Sequence, residues 1–214
     1  MAWQQFDRGW RLAARDGEAN SLVILLHGAG GESRDLLPLA EAWRDALPHT
    51  AFVSFDGGET FGGRRGGRVW YGLGGIDTAS RRARVAAAYP GLHALIDREM
   101  AYWKALPARV ALAGFSQGAI MALHHVVSDP VGVAGVVGYS GRLASAVSAY
   151  NPAKVTLIHG LGDTVIPFQE TVSAAKTLHD SGFRAEHVLL PGVAHGISSE
   201  GVELGRDALT RLFA

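Results

Sequence analysis

The chain has no cysteine and no excess of either charge. Among its 214 residues, 20 Lys and Arg balance 20 Asp and Glu, so the formal net charge at pH 7 is +0. The absence of cysteine excludes disulfide frameworks, thiolate metal sites and cysteine nucleophiles. The balanced charge gives no general attraction to nucleic acid or to an anionic membrane surface, so we expect neither as a partner.

Long apolar runs are also missing. None approaches the roughly 20 residues that a membrane-spanning helix requires, and the N-terminal residues lack the basic and then apolar pattern of a secretion signal. Hydrophobic residues nevertheless make up 48% of the chain, which suits a globular protein with a sizeable core. We therefore expect a single domain over residues 1–214, a cytoplasmic location and no stable association with a membrane.

Apolar runs alternate with helical patterns along the chain. The alternation predicts an α/β fold with a mainly parallel central sheet and helices on both faces. We expect Pro90 to divide or kink one helical region, and the Gly- and Arg-rich residues 56–75 to form a long loop. The predicted strands are residues 21–26, 51–55, 109–113, 131–138, 155–159 and 187–190, and the predicted helices are residues 34–46 (capped by Ser33), a segment after residue 116, 169–180 and 199–213.

The sequence Gly-Phe-Ser-Gln-Gly at residues 114–118 lies between an apolar strand pattern and a helical pattern. Gly-x-Ser-x-Gly in this setting is typical of a nucleophile elbow, in which a sharp turn exposes the serine above the sheet. The two glycines leave room where side chains would clash. The motif therefore predicts Ser116 as a nucleophile.

A serine nucleophile needs a base and a residue that orients the base. Asp163 and His195 follow the two later strands in the expected order, each on a loop at a strand end. His195 would accept the proton of Ser116, and Asp163 would fix the imidazole tautomer and stabilise the imidazolium. These three residues are the predicted catalytic triad.

The transition state of acyl transfer needs hydrogen-bond donors for an oxyanion. We expect the backbone N–H groups of Gln117 and of Ala29, in the sequence His-Gly-Ala-Gly-Gly at residues 27–31, to supply them. The alternative is a tight loop whose glycines only permit unusual backbone angles. A phosphate-binding loop is excluded because Gly-Lys-Ser/Thr is absent, and the dinucleotide fingerprint is broken at Ser33.

Candidate substrate contacts lie near two loops. The favoured interpretation of the basic residues 62–68 is a solvated loop. The alternative is a lid in which Trp70 and Tyr71 form an apolar wall for an acyl chain, while Arg64, Arg65 and Arg68 favour an anionic head group. Ser140, at the end of a central strand, is a candidate for the pocket, with packing as an equal alternative.

Several histidines and an aspartate near the predicted site are residue types that bind metals. No His-Glu-x-x-His or similar ligand spacing occurs, so we expect no metal and no other cofactor. The neighbouring histidines at positions 124 and 125 are expected to be surface or packing residues. The candidate metal ligands named by residue type are His27, His159, Asp163 and His195.

Five sequence blocks resemble the phospholipase/carboxylesterase family of α/β-hydrolases, which includes acyl-protein thioesterases and small bacterial carboxylesterases. The blocks are Leu-His-Gly-x-Gly-Gly at 26–31, Gly-Phe-Ser-Gln-Gly at 114–118, Ser-Gly at 140–141, His-Gly-x-x-Asp-x-Val-Ile-Pro at 159–167 and Gly-x-x-His-Gly-Ile-Ser at 192–198. The resemblance implies a compact α/β-hydrolase with little cap, and it assigns the same triad and oxyanion donors to the matching positions. One departure is the segment 56–68, which is usually Pro-rich in that family and is Gly- and Arg-rich in this chain.

The resemblance implies a serine esterase that acts on a small-molecule ester of short or medium acyl length. A thioesterase or lysophospholipase with the same triad is the nearest alternative, because the triad fixes the chemistry and the pocket fixes the substrate. A non-catalytic binding protein on a hydrolase scaffold and RNA binding by the Arg-Gly loop are remote alternatives. A homodimer is left open.

Overall fold

The structure is a computed structural model that describes residues 2–62 and 67–214. Arg64 and Arg65, which the lid hypothesis invoked, lie outside the described residues. Within the described part, no helix combines the length and the apolar character needed to cross a bilayer.

The main sheet contains eight strands in the order β1-β2-β4-β3-β7-β8-β9-β10. The pairs β1–β2 and β2–β4 are antiparallel, and all other neighbours in this sheet are parallel. A small antiparallel pair, β5–β6, lies outside it. The strands are β1 Gln4–Phe6, β2 Gly9–Leu12, β3 Ser21–Leu26, β4 Thr50–Phe55, β5 Glu59–Thr60, β6 Arg68–Val69, β7 Val110–Phe115, β8 Gly135–Tyr139, β9 Lys154–Gly160 and β10 Arg184–Leu190.

Helices cover both faces of the sheet, as predicted. The core on one face contains residues of α2, α3 and α4, and the core on the other contains residues of α1 and α5. The α-helices are α1 Leu37–Trp43, α2 Thr78–Trp103, α3 Gln117–Ser128, α4 Gln169–Asp180 and α5 Ser199–Phe213, and short 3-10 helices occupy Ser33–Leu36 and Pro107–Arg109.

Strand β3 explains why the central strands are apolar throughout. All six of its residues are buried. Leu22 and Ile24 point into the core with α2 and α3, whereas Val23 and Leu25 point into the core with α1 and α5. Alternate side chains of a strand face opposite sides, so a sheet covered on both faces needs an unbroken apolar run. Each fully buried aliphatic side chain of this kind contributes about 1.5–3 kcal/mol.

Several sequence predictions about element boundaries were wrong. The helix expected from residue 34 begins as a 3-10 turn, and its N-cap is Glu32, whose N–H donates to Asp35 Oδ2 at 3.0 Å. The N–H of Ser33, the expected cap, instead donates to Asp56 Oδ1 at 2.7 Å. Of the two outcomes expected at Pro90, division of the helix is wrong, since α2 is continuous through it, and a kink stays a prediction.

Two strands begin three or more residues away from their predicted starts. The strand expected at 131–138 begins only at Gly135, because Asp129 Oδ1 accepts the N–H groups of Val131 and Gly132 in a turn. The last strand begins at Arg184, earlier than expected, because its parallel pairing with β9 extends from Arg184 to Leu190. The loop at 56–75 contains the short pair β5–β6, and β1 and β2 were not predicted.

Candidate active site

Ser116 occupies a sharp turn between β7 and α3. Its backbone has φ 52° and ψ −114°, a left-handed conformation that non-glycine residues rarely adopt and that costs on the order of 1–3 kcal/mol. The N–H of Ser116 donates to Tyr139 O at 2.8 Å, and Ser116 O accepts the N–H of Ile120 at 3.1 Å. Strand pairing on one side and the first helical turn on the other therefore hold this strained residue.

The two glycines of the motif permit close backbone contacts around Ser116. A Cβ placed on Gly118 would lie 1.9 Å from the carbonyl oxygen of Leu26, and one on Gly114 would lie 2.5 Å from the carbonyl carbon of Gly118. Both distances are shorter than any real contact, and the opposing atoms belong to the backbone. Only glycine fits at these two positions, which is the physical reason for the Gly-x-Ser-x-Gly spacing.

The structure brings the three predicted catalytic side chains together from three separate loops. His195 Nε2 lies 3.0 Å from Ser116 Oγ, and His195 Nδ1 lies 2.6 Å from Asp163 Oδ2. The Asp163 side chain is fully buried, whereas 18% of the His195 side chain is exposed. The imidazole ring also packs against Phe115, with ring centroids 5.0 Å apart.

Asp163 is held ionised by its hydrogen bonds. Burial alone raises the pKa of this carboxyl group, but the bond from His195 and the backbone N–H groups of Ile166 and Val165 outweigh it and lower the pKa below its ordinary value. Both amides donate to Oδ1 at 2.8 Å, which leaves Oδ2 for the imidazole. The loop is also tied to the histidine loop, because Gly162 N donates to Val193 O at 2.9 Å.

A second histidine, His159, contacts the same carboxylate. Its Nε2 lies 3.0 Å from Asp163 Oδ2 and 2.8 Å from Ile166 O, and its Nδ1 lies 2.7 Å from Thr171 Oγ1. Because Nε2 faces two acceptors, it carries a hydrogen. The sequence indicates His159 only as a candidate metal ligand and does not predict this contact, although the position of His159 four residues before Asp163 at a strand end was a visible signal.

The loop at residues 27–31 lies directly beside Ser116. A Cβ on Gly28 would be 3.3 Å from Ser116 Cβ, so this loop approaches the serine as closely as the backbone allows. Among the hydrogen bonds of the described residues, none uses the N–H of Ala29 or of Gln117. Both predicted oxyanion donors are therefore available to a ligand.

His27 supports this loop. Its Nδ1 lies 2.6 Å from Gly28 O, and its Nε2 accepts the N–H of Gly57 at 2.9 Å. Burial, the main cause, lowers the pKa of His27, which matches a neutral ring with the hydrogen on Nδ1. The described residues also contain no group of three His, Asp or Glu side chains arranged to hold a metal ion.

Trp70 and Tyr71 are buried, with only 4% and 2% of their surface exposed. Their backbone holds the side chain of Gln117: the N–H of Trp70 donates to Oε1 at 2.8 Å, and Nε2 donates to Tyr71 O at 2.7 Å. Both residues line a cavity of about 460 Å³ beside α2, and none of the three triad residues lines it. Their role in binding a substrate stays a prediction.

The other two candidate contacts differ in their surroundings. Ser140 is buried with φ 47°, and its Oγ has no hydrogen-bond partner in the described part of the chain. Its contact with a substrate stays a prediction. The guanidinium of Arg68 donates to Gly57 O at 3.0 Å and to Gly58 O at 3.4 Å, so it is used within its own loop.

Comparison with known proteins relates this site to a family. The model of the Phospholipase/Carboxylesterase family matches residues 10–211. Esterase YpfH of Escherichia coli (strain K12) is 30% identical over 199 residues, which cover 91% of this chain and 84% of that protein. Acyl-protein thioesterase 1 of Neurospora crassa is 23% identical over 214 residues, which cover 88% of this chain and 85% of that protein.

Solved structures agree with the sequence matches. The crystal structure of esterase PE8 is 33% identical and has a TM-score of 0.88, over 94% of this chain and 97% of that one. The structure of Arabidopsis thaliana SOBER1 shares the fold with a TM-score of 0.79 at 21% identity, over 92% of this chain and 100% of that one. The expected fold and the expected class of carboxylic-ester hydrolase are thus confirmed at the level of the family. The chain belongs to the Phospholipase/Carboxylesterase family of α/β-hydrolases.

Proposed function

We propose that the protein hydrolyses small-molecule carboxylic esters of short to medium acyl length through an acyl-enzyme on Ser116. The observation that carries the proposal is the unbroken path of contacts from Ser116 Oγ to His195 at 3.0 Å and from His195 to Asp163 at 2.6 Å. Family membership supports the same reaction class.

In the first half-reaction, Ser116 Oγ attacks the ester carbonyl carbon while His195 Nε2 takes the hydroxyl proton. The carbonyl oxygen becomes an oxyanion, which accepts hydrogen bonds from the backbone N–H groups of Ala29 and Gln117. The intermediate then collapses, the bond to the alcohol breaks, and His195 gives its proton to the departing oxygen. The ionised Asp163 stabilises the imidazolium throughout, without becoming protonated itself.

In the second half-reaction, His195 removes a proton from a water molecule that attacks the acyl carbon. The same two N–H groups donate hydrogen bonds to the second oxyanion, and the proton returns to Ser116 as the acid leaves. The strained turn already holds Ser116 in place, so little of the activation free energy is needed to position the nucleophile.

The proposal is tested with wild type and Ser116→Ala on p-nitrophenyl esters from acetate to palmitate. We expect hydrolysis by the wild type only, with the optimum chain length reporting the size of the acyl site. Circular dichroism spectra of the two proteins should match. Equal turnover by the variant would overturn the assignment of Ser116, and a folded wild type inactive on every ester would favour a non-catalytic binding protein.

A thioester is the second candidate substrate. One relative, at 23% identity, is named an acyl-protein thioesterase, and a serine acyl-enzyme forms equally well from either class of ester. Matched oxygen esters, thioesters and a lysophospholipid of the same acyl chain would distinguish the candidates by their kcat/KM values.

The proposal also covers the location and the oligomeric state of the protein. The absence of cysteine supports a cytoplasmic location. The protein could act as a monomer or as a homodimer, and sedimentation velocity would distinguish the two.

A further inference from the structure

Arg142 is tethered close to the proposed nucleophile. It lies three residues after Tyr139, whose carbonyl oxygen accepts the N–H of Ser116 at 2.8 Å. Three residues span at most about 11 Å, so the backbone of Arg142 stays within that distance of Tyr139, which pairs with the elbow. Gly141 keeps this segment tight against the start of α3, since a Cβ at that position would lie 2.6 Å from Ala119 Cβ.

The guanidinium of Arg142 is only partly neutralised. Its Nη1 lies 3.1 Å from Glu170 Oε1, and 16% of the Arg142 side chain is exposed. Its Nε is buried and has no hydrogen-bond partner in residues 2–62 and 67–214. A guanidinium has five N–H donors, so a single contact with one carboxylate leaves most of its binding capacity unused.

A second arginine adds to the positive charge. Burial, the largest effect, lowers the pKa of Arg142, and the charge of Arg81 lowers it further, while Glu170 opposes both. The charges of Arg81 and Arg142 also act on Tyr71, whose carbonyl oxygen holds the Gln117 side chain. Two cations, Arg81 and Arg142, therefore lie on this side of the site, together with the carboxylates of Glu170 and Asp163.

Arg142 and the base belong to segments that pack on different faces of the sheet. Leu143 and Ala144, which follow it, pack on the core of α2, α3 and α4, whereas Phe115, which contacts the His195 ring, packs on the core of α1 and α5. Because His195 must protonate the leaving alcohol, the alcohol lies on the His195 side.

We infer that the acyl chain extends away from His195 towards Arg142, and that Arg142, supported by Arg81, binds a carboxylate at the far end of that chain, so that half-esters of dicarboxylic acids are a preferred substrate class. The inference rests on the proposed esterase function and names the substrate of the same site. Arg68 is not part of this inference, because its guanidinium already donates to backbone carbonyls of its own loop.

The test compares kcat/KM for the p-nitrophenyl monoester of glutaric acid with that for p-nitrophenyl valerate, whose acyl chain has the same number of carbons. For Arg142→Gln we expect the ratio of the charged to the neutral ester to fall on the order of tenfold, because a charge-assisted hydrogen bond is lost. For Glu170→Gln we expect the ratio to rise about threefold, since a competing carboxylate is removed. High salt should reduce the wild-type ratio.

The opposite directions of the changes expected for Arg142→Gln and Glu170→Gln distinguish anion binding by Arg142 from a merely structural ion pair. Both substitutions break the same contact, so a structural role predicts that they change the two esters alike. Arg206→Gln, which removes an arginine paired with Asp207 at 2.9 Å on α5, is the matched control and should leave the ratio unchanged. If the neutral ester is hydrolysed but neither variant changes the ratio, the inference fails and the esterase proposal stands. If neither ester is hydrolysed, the esterase proposal itself fails.

Discussion

His159 Nε2 and Asp163 Oδ2 lie 3.0 Å apart, so the proposed catalytic carboxylate contacts two imidazole rings through the same oxygen. Both side chains of this pair are fully buried. The His159 ring is fixed in turn by Thr171 Oγ1 at 2.7 Å. We therefore expect His159 to orient Asp163 and to act on the reaction only through that carboxylate.

Replacing His159 should lower turnover more than substrate binding. We expect His159→Leu to reduce kcat roughly tenfold with little change in KM, because Asp163 loses one of the groups that orient it. His159→Gln keeps an N–H near the position of Nε2 and should recover most of the rate. Steady-state kinetics of both variants, below their unfolding temperatures, measure the difference. A proportional rise in KM for both variants would contradict a role in orientation.

Replacing the carboxylate itself should have a larger effect. Asp163→Asn keeps the shape but offers an amide to His195 Nδ1, which favours the wrong imidazole tautomer. In Ser-His-Asp enzymes such a change lowers kcat on the order of 10⁴-fold. Stopped assays with a reactive p-nitrophenyl ester would detect the residual rate. A loss below tenfold would show that the contact at 2.6 Å is not needed for turnover.

The same substitution predicts a pH dependence of stability. The folded-state pKa of Asp163 lies below its ordinary value of 3.8, despite burial, because His195 and two amides donate to it. A lowered pKa stabilises the folded state above the unfolded pKa, and the contribution is lost as pH falls through the folded pKa. Urea unfolding should therefore find wild type more stable than Asp163→Asn at pH 6, with the difference shrinking below about pH 4. A difference that grows in acid would reverse the assigned direction.

The sequence predicted the parts of the site that depend on the order of strands and loops along the chain. Ser116, Asp163 and His195 each follow an apolar strand directly, and parallel strands bring their carboxyl ends to one edge of the sheet. The structure does bring these three side chains together, while their catalytic roles stay predictions until the variants are assayed. The fold class was also predictable, because the strands are apolar on both faces.

The features that the sequence missed depend on contacts between distant residues. The strand β2 is short, and it forms because it pairs with β4 more than thirty residues later. The motif predicts a role only for the backbone N–H of Gln117, and nothing nearby in sequence indicates that Trp70 and Tyr71 hold its side chain. The predicted cap at Ser33 was wrong because Glu32 and Asp35 form a local pair that competes for the same turn.

Two glycines should respond oppositely to alanine. A Cβ on Gly118 would lie 1.9 Å from the backbone oxygen of Leu26, so Gly118→Ala must displace either β3 or α3. Since Gln117 and Ser116 sit at that contact, we expect loss of esterase activity and strong destabilisation, by several kcal/mol if the chain still folds. Gly91 lies inside α2 with no atom within 4 Å of the added Cβ. Gly91→Ala should therefore stabilise the helix by about 0.4–1 kcal/mol. Thermal unfolding with p-nitrophenyl acetate assays compares the two, and equal Tm changes would contradict the packing at the elbow.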